Sequence, residues 1–307
     1  MAAGTLWLGA GILTARWPDA DDWGYTHELA VLLTGFGGAL ALAGLLGDRL
    51  GRLGERLRPK APWLIALALL VAVWEVLVAK LNLLPRPFFA PPQSFLEVYV
   101  EDGRRLADCT IASFGLLATG YLIGAGLGFV SGVAIGWSRA VAYWGHPLLR
   151  LIGPLPAVAW LPIAFFAFPS SWSASVFLIA LASGIPVAVL TWSGVAGVNS
   201  AYYDIARTLG ANSRFLVLKV AVPAALPHVF VGLFMGLCAA FSVLVVAEMV
   251  GVKAGLGWYL QWAQGWAAYG NMYAALLVLA LVCSGLVGLL FRVRDRVLVW
   301  QKGLLKW

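Results

Sequence analysis

Apolar runs long enough to cross a bilayer recur along this chain, and they leave few folds open to it. The runs Leu29 to Leu46, Pro62 to Ala79, Ser113 to Trp137, Pro147 to Phe168, Ser175 to Val198, Leu226 to Ala247 and Met272 to Phe291 approach or exceed the roughly 20 residues that a helix needs to span the hydrocarbon core. Lipid offers no hydrogen-bond partners, so each backbone N–H and C=O must be satisfied within its own segment, and such runs form helices. Composition agrees: 62% of residues are hydrophobic, 11% are charged and the mean hydropathy is +0.88, values that exclude a soluble globular domain. The fold class is therefore all-α and polytopic. Met1 to Ala15 is short for a span, and with no A-x-A-like cleavage site it reads as a retained helix.

Loop charges orient these spans, because Lys and Arg collect on the cytoplasmic side. Arg49, Arg52, Arg56, Arg58 and Lys60 lie together; Arg139 and Arg150, then Arg207, Arg214 and Lys219, then Arg292, Arg294, Arg296, Lys302 and Lys306 mark every second boundary after them. These are 15 of the 21 basic residues. Asp19, Asp21, Asp22 and Glu28, with the charge-balanced stretch Lys80 to Asp108, fall on the other side. An even number of spans with both termini in the cytoplasm satisfies the pattern. The basic excess thus reports topology, and nucleic acid has no part in it.

Catalytic chemistry finds no foothold. Cys109, Cys238 and Cys283 follow no metal or redox spacing, and His27, His146 and His228 sit near span ends without H-E-x-x-H, paired carboxylates or a Gly-rich phosphate loop. No metal site and no enzyme is expected.

The chain divides into an N-terminal pair of spans with a basic linker, residues 1–60, and a body of about six spans, residues 61–307. Pro85, Pro87, Pro91 and Pro92 lead into a short surface helix, Ser94 to Asp108. Gly120, Gly124, Gly128, Gly132 and Gly136 recur at every fourth position and line one helix face, a ladder suited to close helix packing or to sliding. Pro154, Pro156 and Pro162 bend or break the next span, and broken helices in membranes tend to line cavities. Pro156 and Trp160 are therefore candidates for a translocation path, with packing or interfacial anchoring the alternative for Trp160. Two acidic residues lie in or at the ends of spans. Glu75 sits near the outer end of its span, where it can snorkel; Glu248 is placed either to pair with Lys253 or to gate. No internal repeat is visible, so a transport pathway would need a second copy.

The segment from Asn199 to Pro223 is the most specific. Asn199 or Ser200 can cap a short helix, Gly210 can end it in the left-handed conformation, and Asn212 or Ser213 can cap a second. Its residues Asp204-Ile205-Ala206, Gly210 and Val220-Ala221-Val222-Pro223 keep the spacing E-A-A-x3-G-x9-I-x-L-P. In this the chain resembles the permease subunits of binding-protein-dependent ABC importers, in the nitrate, sulfonate, taurine and bicarbonate branch. Leu84-Pro85-Arg86-Pro87, Leu161-Pro162 with Phe165-Phe166, and Ala247-Glu248-Met249 followed by Gly255-Leu256-Gly257 carry the same likeness, which covers residue 62 onward. The resemblance implies a type I importer core in the bacterial cytoplasmic (inner) membrane, built as a homodimeric pore. It further implies ATP-binding cassette ATPase partners that hold ATP and Mg, with none bound by this chain, and a periplasmic or lipid-anchored solute-binding protein. Asp204, Ala206, Arg207, Thr208, Gly210 and Ala211 would form the coupling element. Sulfonate-type relatives often carry arginine where this chain has Leu116, and another near Gly153, so the implied anion lacks those cationic contacts here. A secondary transporter is the alternative, disfavoured by the scarcity of intramembrane ionisable residues.

Overall fold

Glycine, proline and capping side chains set where each apolar run begins and ends as a helix. The computed structural model describes residues 1–47, 51, 54, 57–84 and 87–300; Arg49, Arg52, Arg56, Pro85, Arg86, Lys302 and Lys306 lie outside the described residues. The helices are α1 (Ala2–Arg16), α2 (Thr26–Leu46), α3 (Ala61–Glu75, continued by a wide π turn Val76–Lys80), α4 (Gln93–Glu101), α5 (Gly103–Trp137), α6 (Arg139–Ile152), α7 (Leu161–Ala167), α8 (Ser171–Ala196), α9 (Ser200–Thr208), α10 (Val222–Val250), α11 (Leu256–Gly265) and α12 (Tyr269–Val297). Among the described residues six helices are long and apolar enough to cross a membrane, or up to seven if α6 and the Ala157–Ala167 segment, bent by 88° between them, form one span. The expected surface helix is shorter than Ser94 to Asp108. It stops at Glu101, Asp102 leaves helical geometry, and Gly103 already opens the 35-residue α5.

By contact the chain forms two compact units, Met1–Ala107 with Leu260–Leu277, and Asp108–Tyr259 with Val278–Trp307. In the first, α1 and α2 make an antiparallel hairpin through small residues. Gly4 lies on Ala41, Gly11 on Thr34, Gly37 on Trp7 and Leu8, and Gly44 on Met1, a rising and a falling series that share one register. Trp7 ties the hairpin to α3 by donating its indole N–H to the Leu64 carbonyl at 3.0 Å. Trp74, Phe95 and Tyr273 pack edge-on or tilted, and the Tyr99 hydroxyl donates to the Ala274 carbonyl at 3.1 Å. Glu75 does not snorkel. It is 1% exposed because its nearest counter-charge, Lys80 at 3.6 Å, is itself buried.

In the second unit α8 lies between α5 and α10. The five ladder glycines of α5 meet Ile179, Ser183, Val187, Thr191 and Val195 in turn, so holes and side chains share one spacing. A Cβ on Gly120, Gly132 or Gly136 would lie 2.7 Å from the Cβ of Ile179, Thr191 or Val195; only glycine allows this approach. Four of the five side chains are β-branched and stiff at χ1, which costs little entropy on packing. Both series rise together, so α5 and α8 are parallel. On α10, Gly236 meets Ser183, Gly232 meets Val187 and Leu190, and the Ala225 and His228 side chains lie against Gly194; here one series falls as the other rises, so α10 is antiparallel to α8. Parallel neighbours in one membrane require the intervening chain to recross it. The bent pair Arg139–Ile152 and Ala157–Ala167 is therefore a broken span, and Trp137 and Ala196 end on the same face.

Candidate functional site

That face carries the turn from Asn199 to Ala221, and its local chemistry explains its shape. The Asn199 side chain accepts from the Ala201 N–H at 2.9 Å and opens α9; the Asn212 side chain accepts from the Phe215 N–H at 2.9 Å and opens the next turn. Between them the Ala211 N–H donates to the Ala206 carbonyl at 3.0 Å and the Gly210 N–H to the Arg207 carbonyl at 2.9 Å. Gly210 has φ +84°. Those bonds, six-to-one and five-to-two about a left-handed residue, make a Schellman stop. The alanine-to-glycine spacing is thus the spacing of the helix end itself: Ala206 supplies the acceptor and Gly210 the reversal. Thr208 donates its hydroxyl to the Ile205 carbonyl at 2.7 Å, and Asp204 and Arg207 form an exposed pair at 3.5 Å. Beyond the turn a π segment, Leu216–Ala221, precedes Pro223. The proline lacks an N–H and its ring displaces the carbonyl four residues back, which accounts for the widened turn.

Two features of α9 escaped the sequence reading. Tyr203 anchors the helix, its ring edge-on to Trp137 at 5.7 Å and packed on the Val195, Ala221 and Ala225 cluster. Tyr202, Ile205 and Leu209, spaced three and four apart, are 60%, 60% and 83% exposed and form an apolar stripe on a helix otherwise polar. The spacing was visible in the sequence, but its exposure required knowing that Tyr203 takes the inward side.

The other candidates sit apart from this turn. Pro156 is exposed and extended, φ −60° and ψ 130°, ahead of the one-turn 3₁₀ segment Ala157–Trp160. Trp160 is half-buried against the cluster of Leu116, Leu117, Ala164, Ile179 and Leu244. Leu116, 2% exposed, fills that cluster. Glu248 is fully buried, and Lys253 is not its partner. The Ser113 hydroxyl donates to Glu248 Oε1 at 2.7 Å and the Gly257 N–H to Oε2 at 2.8 Å, while the Leu256 N–H donates to Ser113 Oγ at 2.7 Å. Gly255, φ +124°, brings its backbone against the same carboxylate, where a Cβ would collide with it. Sequence proximity favoured Lys253; the actual donors come from α5, 135 residues away, and from backbone, neither of which leaves a local signal.

The turn is capped and exposed, mounted on two packed spans beside a proline-broken span. Residues 124–298 match the family of binding-protein-dependent transport system inner membrane components, and the chain belongs to that family. It is the transmembrane permease of an ABC importer. Its relatives include the nitrate import permease protein NrtB of Synechococcus elongatus, 27% identical over 80% of this chain and 89% of the relative. Another is the putative aliphatic sulfonates transport permease protein SsuC of Bacillus subtilis, 29% identical over 70% and 78%. The bicarbonate transport system permease protein CmpB of Synechococcus elongatus is 32% identical over 62% and 66%. A solved structure of the MetNI methionine ABC transporter in inward facing conformations shares the fold, with a TM-score of 0.54 and 16% identity over 66% of this chain and 98% of that one.

Proposed function

We propose that this permease carries a small oxyanion or organic anion such as nitrate, bicarbonate, taurine or another sulfonate. In this reading two copies form the pore and a solute-binding protein delivers the ligand on the outer side. Separate ATP-binding cassette subunits supply the energy, with ATP and Mg held by those subunits. The substrate class rests on the names of the relatives. The coupling role rests on one observation: the apolar stripe Tyr202, Ile205 and Leu209 stands exposed on a helix locked at both ends. Exposed apolar side chains at helical spacing suit insertion into a groove, and the caps make the element stiff enough to pass force to α8 and α10. Asp204, Ala206, Arg207, Thr208, Gly210 and Ala211 form its frame. Arg139, Arg207, Arg214 and Lys219 at this end support a cytoplasmic placement of the turn. In the same reading both termini are cytoplasmic.

Leu209→Asp places a charge on the stripe at the helix C-cap and leaves the capping side chains Asn199 and Asn212 in place. Co-expressed with its ATPase and reconstituted, the variant is expected to lose about tenfold or more of binding-protein-stimulated ATP hydrolysis, a charge buried in a groove being worth more than 1.4 kcal/mol. Membrane insertion stays normal. Undiminished stimulation would sink the coupling assignment, and native mass spectrometry of the wild-type complex reads the two-plus-two stoichiometry directly.

A further inference from the structure

Where the end of α1 meets the end of α3, the charges do not balance. Lys80, its side chain fully buried, donates to the Thr14 carbonyl at 3.0 Å, the Trp17 carbonyl at 2.7 Å and Asp19 Oδ1 at 2.6 Å. An ammonium has three protons, and all three are spent. Glu75 Oε1 lies 3.6 Å from the same nitrogen, beyond hydrogen-bond reach. Among the described residues neither oxygen of Glu75 has a hydrogen-bond partner within 3.5 Å, and Gln93 Oε1, on a side chain that is fully buried, has none either. Gln93 faces Glu75, and Lys80 and Asp19 are the charged groups that act on it. Among the described residues two carboxylates thus share one ammonium, leaving one negative charge and three lone-pair-bearing oxygens in a buried site.

Turning the Gln93 amide over would aim its N–H groups at Glu75 but supply no charge. Its carbonyl would then face the Thr26 hydroxyl, 3.5 Å from the present amide nitrogen, whose proton already goes to Asp19 Oδ2 at 2.6 Å. A water molecule would supply protons for hydrogen bonds but no charge. A buried uncompensated carboxylate is costly enough that one of its two remedies, a proton or a metal cation, takes over. We propose that Glu75 and Gln93 form a binding site for one monovalent cation, a proton or an alkali ion such as sodium. The Glu75 carboxylate and the Gln93 amide oxygen are acceptors, a ligand set for either. A proton on Glu75 would be donated to Gln93 Oε1, and a sodium ion would be held by the carboxylate and the amide oxygen together. Occupancy fastens α3, through Lys80 and Asp19, to the end of α1 and stabilises the N-terminal hairpin.

The test measures the thermal unfolding midpoint of the purified full-length protein in sodium chloride and in choline chloride at matched ionic strength, at about pH 6 and about pH 8. A site filled at about 100 times its dissociation constant raises the midpoint by several degrees. A rise with sodium identifies the alkali ion, and a rise with acid alone identifies the proton. In either case Glu75→Gln, which carries no charge, is expected to abolish the response. Gln93→Leu keeps the carboxylate and removes the second oxygen, so it is expected to shift the half-effective sodium concentration or acidity about tenfold, and it stands in if the first variant does not fold. Equal responses in wild type and Glu75→Gln overturn the proposal. So does an unshifted half-effective point in Gln93→Leu.

Discussion

Glu248 and Glu75 are both carboxylates buried in membrane helices, and they are solved in opposite ways. Glu248 receives a hydroxyl proton from Ser113 and a backbone proton from Gly257, one on each oxygen. Glu75 receives none, although a buried lysine stands 3.6 Å away. Proximity of an opposite charge therefore says less about a buried carboxylate than the count of protons aimed at it. Donors delivered by rigid backbone and a short hydroxyl side chain make Glu248 a fastening between α5, α10 and the Gly251–Gly257 connection. A lysine whose protons are committed elsewhere leaves Glu75 open to a ligand.

Removing charge from each site separates the two cases. Lys80→Met strands Asp19 and Glu75 without a counter-charge and uncaps the carbonyls at the end of α1, so it should cost about 3–5 kcal/mol. The loss is read as a lowered unfolding midpoint together with early proteolysis in the residue 17–25 connection. Ser113→Ala removes one donor from Glu248 and strands the Leu256 N–H, a loss of about 2–3 kcal/mol, seen as faster cleavage within Gly251–Gly257. Glu248→Gln should cost only about 1 kcal/mol, because its amide oxygen still accepts from Gly257 and its NH2 can donate to Ser113 Oγ. Intact assembly with intact transport in that variant would show that Glu248 fastens and does not gate. Smallest is Arg207→Ala at the exposed Asp204 pair, expected within about 0.5 kcal/mol of wild type by thermal unfolding.

The sequence was most readable where structure is made by near neighbours. Asn199, Gly210 and Asn212 cap and stop their helices through bonds that reach no more than five residues, so side-chain chemistry alone places them. The glycine ladder was legible as a face but not as an interface, because nothing local says that its holes receive Ile179 to Val195. Trp160 packs on a core assembled from α5, α7, α8 and α10, and its surroundings are likewise set at a distance. The expected snorkelling of Glu75 and the expected Lys253 partner of Glu248 fail for the same reason: buried groups from remote segments surround both carboxylates. Pro154, Pro156 and Pro162 already marked a break in their span, found as a bend of 88°. The direction of α8 beside α5 is what makes that break part of a crossing.

Two combs of equal pitch mesh along α5 and α8, and such combs are commensurate: moved by one tooth they mesh again, save at the ends. Of the teeth, Ile179, Val187, Thr191 and Val195 differ little in breadth at the β-carbon, so shape alone distinguishes the native alignment only weakly from its neighbour. Something outside the combs has to pin it. The Ser113 to Glu248 bond, joining α5 to the far end of α10 while α10 grips α8 through Gly232 and Gly236, supplies such a pin. With the Tyr121 hydroxyl donating to the Leu233 carbonyl at 2.8 Å, two hydroxyls then set the alignment for five glycines.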